Sequence, residues 1–430
     1  MKLSALYQIF LDCAVVTTDS RNCPEGSLFI ALKGESFNGN AFAAQALKDG
    51  CAYAVVDEAK YAPEDNKHII LVDNCLQTLQ QLANYHRRQL GTKVIGITGT
   101  NGKTTTKELI SAVLAKAHNV LYTEGNLNNH IGVPVTLLRL KAEHDLAVIE
   151  MGANHPGEIK FLVHIAEPDY GIITNVGKAH LEGSFEGVIR TKGELYDYLR
   201  EKDDSTVFIH HDNVYLMDIS RGLNLIPYGS ENSLYVNGHV TGNSPYLTFE
   251  WKAGKDGNLH QVQTQLIGEY NFPNALAAVT IGRFFGVESS KIDEALAGYT
   301  PRNNRSQLKK TADNTLIIDA YNANPTSMMA ALQNFRNMTV ERKMLILGDM
   351  RELGAESAAE HHKIVEYLQE CSFEKVLLVG ELFASTNPPY PTYANAQELI
   401  KDLQTEKPQG YTILIKGSNG IKLSTVVEFL

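Results

Sequence analysis

Residues 93–116, KVIGITGTNGKTTTKELISAVLAK, decide the fold. The strand KVIGIT runs straight into a glycine-rich turn and then a helix whose first turn holds Lys103, Thr104 and Thr105. Such a turn aims several backbone N–H groups at one place, and the helix N-terminus adds partial positive charge, so phosphate oxygens can be held without net positive protein charge. The segment Gly99, Thr100, Asn101, Gly102, Lys103, Thr104 and Thr105 is therefore the expected nucleotide-binding loop. Lys103 is placed to neutralise β and γ phosphates, and the Thr104 hydroxyl to ligate Mg²⁺. The spacing departs from the strict GxxxxGK(S/T) pattern, because position 97 is Ile and the early glycine sits at Gly96, with another at Gly99. The strand–GKT–helix context still points to a nucleoside triphosphate, against the alternative of a plain turn with a surface lysine.

Outward from this unit, the strands VIGIT, LAVIEM, YGIITNV and STVFIH alternate with helical patterns, as in a parallel, doubly wound sheet. Upstream, SLFIAL, CAYAVV and HIILV alternate with helical segments closed by Gly50 and Gly91. Between about 225 and 267, short segments with Gly, Asn and Ser turns predict antiparallel strands attached to the central unit. A helix follows from Asn274, and the polar stretch TPRNNRSQ, residues 300–307, reads as an interdomain connection. Beyond it, TLIIDA, KMLILGD, KVLLVG and YTILIKG alternate with helices. The expected fold is α/β in three domains. These are a small N-terminal α/β domain over 1–90, a central phosphate-loop domain over 91–299 with a doubly wound, mainly parallel sheet, and a Rossmann-like domain over 300–430.

Composition narrows the partners. The 430 residues carry 39 Lys+Arg against 49 Asp+Glu, a formal charge of −10, which argues against a general electrostatic grip on nucleic acid or an anionic membrane. Any anionic ligand must be held by a local site. The 5 cysteines form no CxxC pair, so neither a disulfide framework nor a zinc site is indicated, and a reducing cytoplasm fits. No stretch reaches the length of a membrane span. The N-terminal MKLSALYQIFLDCAVV reads as a short amphipathic helix with Leu3, Leu6, Tyr7 and Phe10 on one face rather than as a leader, which predicts a cytoplasmic protein.

The phosphate loop leaves the second substrate open. GTNGKTTTKE, TEGNLNNHIGVPVTLL, IEMGANHPGEI, TNVGKAHLEG, TKGELYDYL, YNFPNALAA, YNANPTSM, LGDMRELG and KGSNGIKLS occur in this order and closely resemble the Mur ligases of peptidoglycan synthesis, over essentially the whole chain. Within that family, EMGANHPGEI, YNANP and LGDMRELG together resemble the member that adds D-alanyl-D-alanine to UDP-N-acetylmuramoyl-tripeptide. The resemblance implies an ADP-forming amide ligase using ATP and Mg²⁺, in two ions, with the tripeptide and the dipeptide as its partners. Its implied chemistry is an acyl phosphate attacked by the dipeptide amine. Related ligases adding a single amino acid, such as the folylpolyglutamate or meso-diaminopimelate enzymes, a phosphate-loop ATPase without ligase chemistry, and an inactive scaffold are the competing readings. The tripeptide's third residue, meso-diaminopimelate or lysine, is set by no contact that the sequence names, and no oligomeric state is specified, a monomer being compatible.

The residue roles follow partly from chemistry and partly from the resemblance. Glu150 ends the apolar strand LAVIE at the mouth where ligands bind in open α/β sheets, and a carboxylate there suits Mg²⁺. The family's matching Glu and His imply metal contact for Glu150 and His180. The family's lysine carbamylated by CO₂ matches Lys192, which on its own reads as a solvated side chain; an added carboxylate would turn a cation into a metal ligand. Asn271 and Asn274 could offer donor and acceptor to an adenine edge, or cap a helix; where the family commonly has His, this chain has Tyr270. Arg305 is implied to approach ATP and Asp319 the ribose, with Ala320 where a Ser is usual. Asn322, Asn324 and Lys416 are implied to face the dipeptide, with Asp349 and Glu352 near its amine. Ser20 and Arg21 are candidates for the UDP end and Asn129 for the muramoyl or phosphate region, whereas NGNAF at 38–42 departs from the family's pattern.

Overall fold

Strand Lys93–Thr98 is buried at every residue except Lys93. It lies in the interior of a sheet covered on both faces, which is why its sequence is a continuous apolar run. The computed structural model describes residues 1–177, 185–254, 257–302, 304–351 and 353–430, so His180 and Glu352 lie outside the described residues. Described strands form sheets of 4, 9 and 6 strands. The nine-stranded sheet runs in the order Val120–Tyr122, Leu146–Glu150, Lys93–Thr98, Tyr170–Ile173, Thr206–His210, Leu225–Gly229, Val236–Gly242, Thr248–Ala253, His260–Gln263. After Lys93–Thr98 the chain goes to the Val120–Tyr122 edge, returns to Leu146–Glu150 and then crosses to Tyr170–Ile173 on the other side. The phosphate loop therefore leaves the sheet at its topological switch point, where open α/β sheets form ligand crevices.

The expected antiparallel segment is only partly so. Val236–Gly242, Thr248–Ala253 and His260–Gln263 pair antiparallel in succession as expected, but Leu225–Gly229, within the same stretch, lies parallel to Thr206–His210. Val236–Gly242 then meets Leu225–Gly229 in parallel over two residue pairs, Tyr228 with Val236 and Gly229 with Asn237. A pairing that short does not require the long return crossover of ordinary parallel neighbours, so turn signals alone predict the wrong direction here.

The four-stranded sheet is parallel throughout, and the helix Leu3–Leu11 buries Leu6, Tyr7 and Phe10 as its spacing predicts. Helix Cys75–Leu90 starts where the Asn74 side chain accepts the Gln77 N–H at 2.8 Å and ends at Gly91, whose φ of 67° suits glycine. Its Leu79, Leu82 and Ala83 share one apolar core with Val133, Leu137 and Leu162 of the central unit. Polar bonds reinforce this junction. Arg87 donates to the Ala166 carbonyl at 3.0 Å, the Glu167 carbonyl at 2.7 Å and Asp169 Oδ2 at 3.0 Å. Burial pushes the Asp169 carboxyl up, but the Val94 N–H, Lys202 and Arg87 outweigh it and hold it below the usual carboxylate range.

Arg87→Met should cost about 3 kcal/mol of stability at neutral pH, because it strips a buried carboxylate of one partner. Because the folded pKa is depressed, the pair's contribution is present above the ordinary Asp pKa and is lost as pH falls through the folded value. Urea unfolding of parent and variant should accordingly differ at neutral pH and converge in acid; equal stabilities at neutral pH would contradict the assignment.

In the six-stranded sheet, Gln307–Lys310 and Thr315–Asp319 form an antiparallel pair, and Thr412–Lys416, Lys343–Gly348, Lys375–Val379 and Thr392–Tyr393 continue it in parallel. Helix Pro325–Asn337 opens with a reciprocal cap between Asn324 and Ser327 and a proline in its first turn. Among the described residues, no helix is long and apolar enough to cross a membrane, and all 5 cysteines are free.

Candidate active site

Two glycines let the phosphate loop fold back on its surroundings. Gly99 has φ 145°, and a Cβ there would lie 2.1 Å from Thr174 Oγ1; Gly102 has φ 77°, and its Cβ would lie 2.7 Å from Asn274 Oδ1. Asn175 completes the brace, its carbonyl accepting the Thr100 N–H at 3.0 Å and its Oδ1 the Asn101 N–H at 3.0 Å. The loop, Gly99 to Thr105, lines a cavity of about 1000 Å³ that is walled by all three sheet regions. Lys103 Nζ donates to the carbonyls of Gly99 at 2.8 Å and Thr100 at 3.1 Å, so its charge is held over the loop. Burial lowers its pKa, Glu150 partly restores it, and Arg305 lowers it further.

Glu150 sits at the end of its strand beside this loop. Thr104 Oγ1 donates to its two oxygens at 3.2 and 3.0 Å, and Asn128 Nδ2 donates to Oε1 at 2.8 Å. The Glu150 N–H is taken by Thr123 Oγ1 at 2.9 Å. A carboxylate and a hydroxyl this close form an oxygen donor set that fits a hard divalent cation such as Mg²⁺. The described residues contain no group of 3 His, Cys, Asp or Glu able to hold a metal, so phosphate oxygens and water would have to supply the remaining ligands.

Lys192 faces the same cavity and donates to the Ala153 carbonyl at 3.0 Å. Burial, reinforced by Lys103 and opposed by Glu158 and Glu194, lowers its pKa to about 7. Those acids also hold the loop that carries Ala153. Glu158 accepts the Asn154 and His155 N–H groups at 2.6 and 3.0 Å, and Glu194 those of Gly157 and Lys160 at 2.7 and 2.8 Å.

Asn271 and Asn274 line the cavity with their amides engaged by protein. Asn271 Nδ2 donates to the Ile267 carbonyl at 2.8 Å, Asn274 Nδ2 to Asn271 Oδ1 at 3.0 Å, and Thr106 Oγ1 to Asn274 Oδ1 at 3.1 Å. Packed against Gly102, this pair supports the phosphate loop. Tyr270 donates or accepts at Ser306 Oγ over 2.9 Å, with its phenol pushed up by burial and by Asp319.

The C-terminal region closes the cavity. Arg305 stacks over the Tyr321 ring at 3.7 Å and lines the wall. Lys416 is buried and donates to Asp319 Oδ2 at 2.6 Å and to the Asn322 carbonyl at 3.4 Å, so its charge is met inside the protein. Asn324 reaches across to the phosphate loop, Nδ2 to Asn101 Oδ1 at 2.7 Å, while its own Oδ1 caps the helix. Asp349 does not line the cavity; its two oxygens accept the Leu382 and Phe383 N–H groups at 3.0 and 2.9 Å.

Other sequence candidates lie apart from this centre. Ser20 and Arg21 are outside the cavity, and Arg21 forms an exposed bidentate pair with Asp19, both bonds 2.9 Å. Asn129 lines the rim but spends Oδ1 on the Ile131 and Gly132 N–H groups at 3.1 and 2.8 Å. In NGNAF, Asn40 is buried and ties Asp57 through bonds of 2.8 and 2.9 Å, a structural use of that departure. Sequence reasoning missed Asn128, Asn175 and Lys107. Lys107 has a recoverable signal, because it follows Thr104 by three and Lys103 by four residues and so shares their helical face.

The three regions match the Mur ligase family, catalytic domain at 13–87, the Mur ligase middle domain at 97–282, and the Mur ligase, glutamate ligase domain at 304–419. The chain belongs to the Mur ligase family. It is 35% identical to the UDP-N-acetylmuramoyl-tripeptide–D-alanyl-D-alanine ligase of Bacillus subtilis, covering 96% of this chain and 92% of that one. The same ligase of Escherichia coli is 36% identical, over 96% and 93%. Among solved structures, MurF from Acinetobacter baumannii superposes with a TM-score of 0.86 at 31% identity over 99% and 98%. MurF from Thermotoga maritima in complex with ADP gives 0.84 at 26% over 98% and 97%.

Proposed function

We propose that this chain joins D-alanyl-D-alanine to UDP-N-acetylmuramoyl-tripeptide with cleavage of ATP to ADP and phosphate. The observation that carries the reading is one cavity where a phosphate loop, the Thr104–Glu150 pair and the Arg305 region meet, in a chain whose full-length relatives bear that activity in their names. Residues 1–90 hold the UDP end, 91–299 the ATP, and 300–430 the dipeptide. The tripeptide's terminal carboxylate attacks the γ-phosphorus and ADP leaves; the dipeptide amine then attacks the acyl carbon and phosphate departs. Lys103 and the loop N–H groups stabilise charge on the transferring phosphoryl group. A divalent cation on Thr104 and Glu150 would add charge neutralisation there. Arg305 and Asn324 bring the C-terminal region against the loop, which excludes water from the acyl phosphate. Once carbamylated by CO₂, Lys192 would add a second carboxylate to the cavity, whose oxygens could serve a second ion.

The test offers UDP-N-acetylmuramoyl-tripeptide and ATP with D-alanyl-D-alanine, D-alanine or glutamate separately, following phosphate release and product mass. A pentapeptide product only with the dipeptide is expected. Acceptance of a single amino acid, or phosphate without amide, would refute the assignment.

A further inference from the structure

Lys107 lies one helical turn beyond Lys103, on helix Lys103–Leu114, and its side chain is only 1% exposed. A lysine so enclosed is uncommon unless its charge is used. Its ammonium is 3.9 Å from Glu150 Oε2 and 3.9 Å from Glu108 Oε1, and 5.9 Å from the Tyr122 ring centre. Glu108 is in turn held by the Tyr299 hydroxyl, at the entrance to the connection that carries Arg305. Glu150 lines the cavity and Lys107 does not, so Lys107 addresses Glu150 from behind the wall. It can act on a bound ligand only through the field at that carboxylate.

Around Glu150 the basic groups Lys103, Lys107 and Arg305 face the acids Glu150, Glu108 and Glu124, with Arg305 close enough to act on both lysines. A divalent cation arriving alone meets a carboxylate that already faces an ammonium and, among the described residues, no third acidic or imidazole ligand. Phosphate oxygens invert that balance, because they bring negative charge and ligands together.

We propose that Lys107 is a charge-balancing, positioning residue that makes divalent-cation binding at Thr104 and Glu150 depend on bound nucleotide. The ammonium faces the Glu150 carboxylate from behind while no cation is present, and the carboxylate is turned toward Thr104. It also makes the metal-only state unfavourable, so cation and nucleotide phosphates enter and leave as a unit. This rests on the nucleotide and cation assignments of the proposed function, and its test reads binding, independent of amide formation.

The experiment titrates Mn²⁺ into the full chain with and without saturating ADP, reading free Mn²⁺ by electron paramagnetic resonance. The parent is expected to bind Mn²⁺ far more tightly with ADP than without it. Lys107→Met should bind Mn²⁺ without ADP about tenfold more tightly than the parent, or better. Lys107→Arg, which keeps the charge, should behave as the parent. A Lys107→Met protein that binds no better than parent without ADP overturns the proposal, as does a Lys107→Arg protein that gains as much as Lys107→Met. Should Lys107→Met fail to fold, Glu108→Gln serves instead. Leaving Lys107 with one fewer anion, it should weaken Mn²⁺ binding in the presence of ADP several-fold, and unchanged binding there overturns the proposal equally.

Discussion

Lys103→Ala should reduce ATP-dependent amide formation by about 10²–10³-fold or more, the scale seen when a preorganised donor to developing charge is removed. Two effects combine. On the proposed function the variant loses the cation that would face the β and γ phosphates, and the Gly99 and Thr100 carbonyls lose the ammonium that gathers them into one loop. Lys103→Arg separates the two, because it keeps the charge but cannot place a compact ammonium between those carbonyls. Both variants should bind the tripeptide normally, since that substrate does not depend on the loop's charge, so the loss should fall on kcat and on the ATP KM. Steady-state kinetics with phosphate release and product mass check this. Near-normal turnover in Lys103→Ala would remove the phosphate-loop assignment altogether.

The second large effect concerns Lys192. With its pKa lowered to about 7, a substantial fraction of the amine is neutral at physiological pH, whereas an ordinary lysine is almost wholly protonated. A neutral amine can attack CO₂: the N–C bond forms, one C–O π pair moves to oxygen, and a proton leaves the nitrogen. The carbamate keeps one N–H, and the Ala153 carbonyl at 3.0 Å is placed to receive it. Modification should therefore rise as pH climbs through about 7 and fall below it, in the direction set by burial. Activity in CO₂-depleted buffer should drop and return with bicarbonate, and a carbamate signal should appear with ¹³C-bicarbonate by NMR. Lys192→Gln should lose about 10²-fold in kcat and all response to bicarbonate. A parent protein indifferent to CO₂, with no carbamate resonance, would leave Lys192 as a plain buried lysine.

Much of the architecture could be read before any coordinates. Apolar runs such as VIGIT and LAVIE mark strands buried on both faces, and Gly91 marks a helix end, because the local backbone requirement and the residue type coincide. The parallel pairing of Leu225–Gly229 with its two neighbours escaped, since turn composition reports a reversal of the chain but not which neighbour a strand then pairs with. The same limit applies to site residues. Asn129 and Asn128 are adjacent and chemically identical, yet Asn128 reaches Glu150 while Asn129 accepts the Ile131 and Gly132 N–H groups. Lys416 and Asp319 stand 97 positions apart, and only the pairing of their parallel strands puts one charge on the other.

The amino-acid order alone was enough to read the three α/β units, the strand–glycine turn–helix unit and the family, because each is written in local spacing and in motifs of contiguous residues. Tertiary structure decided which polar groups meet: Lys107 behind Glu150, Lys192 on the Ala153 carbonyl, Asn324 on Asn101 of the glycine-rich loop. Coulomb energy and hydrogen bonding depend on distance through space and on burial, and neither follows from distance along the chain.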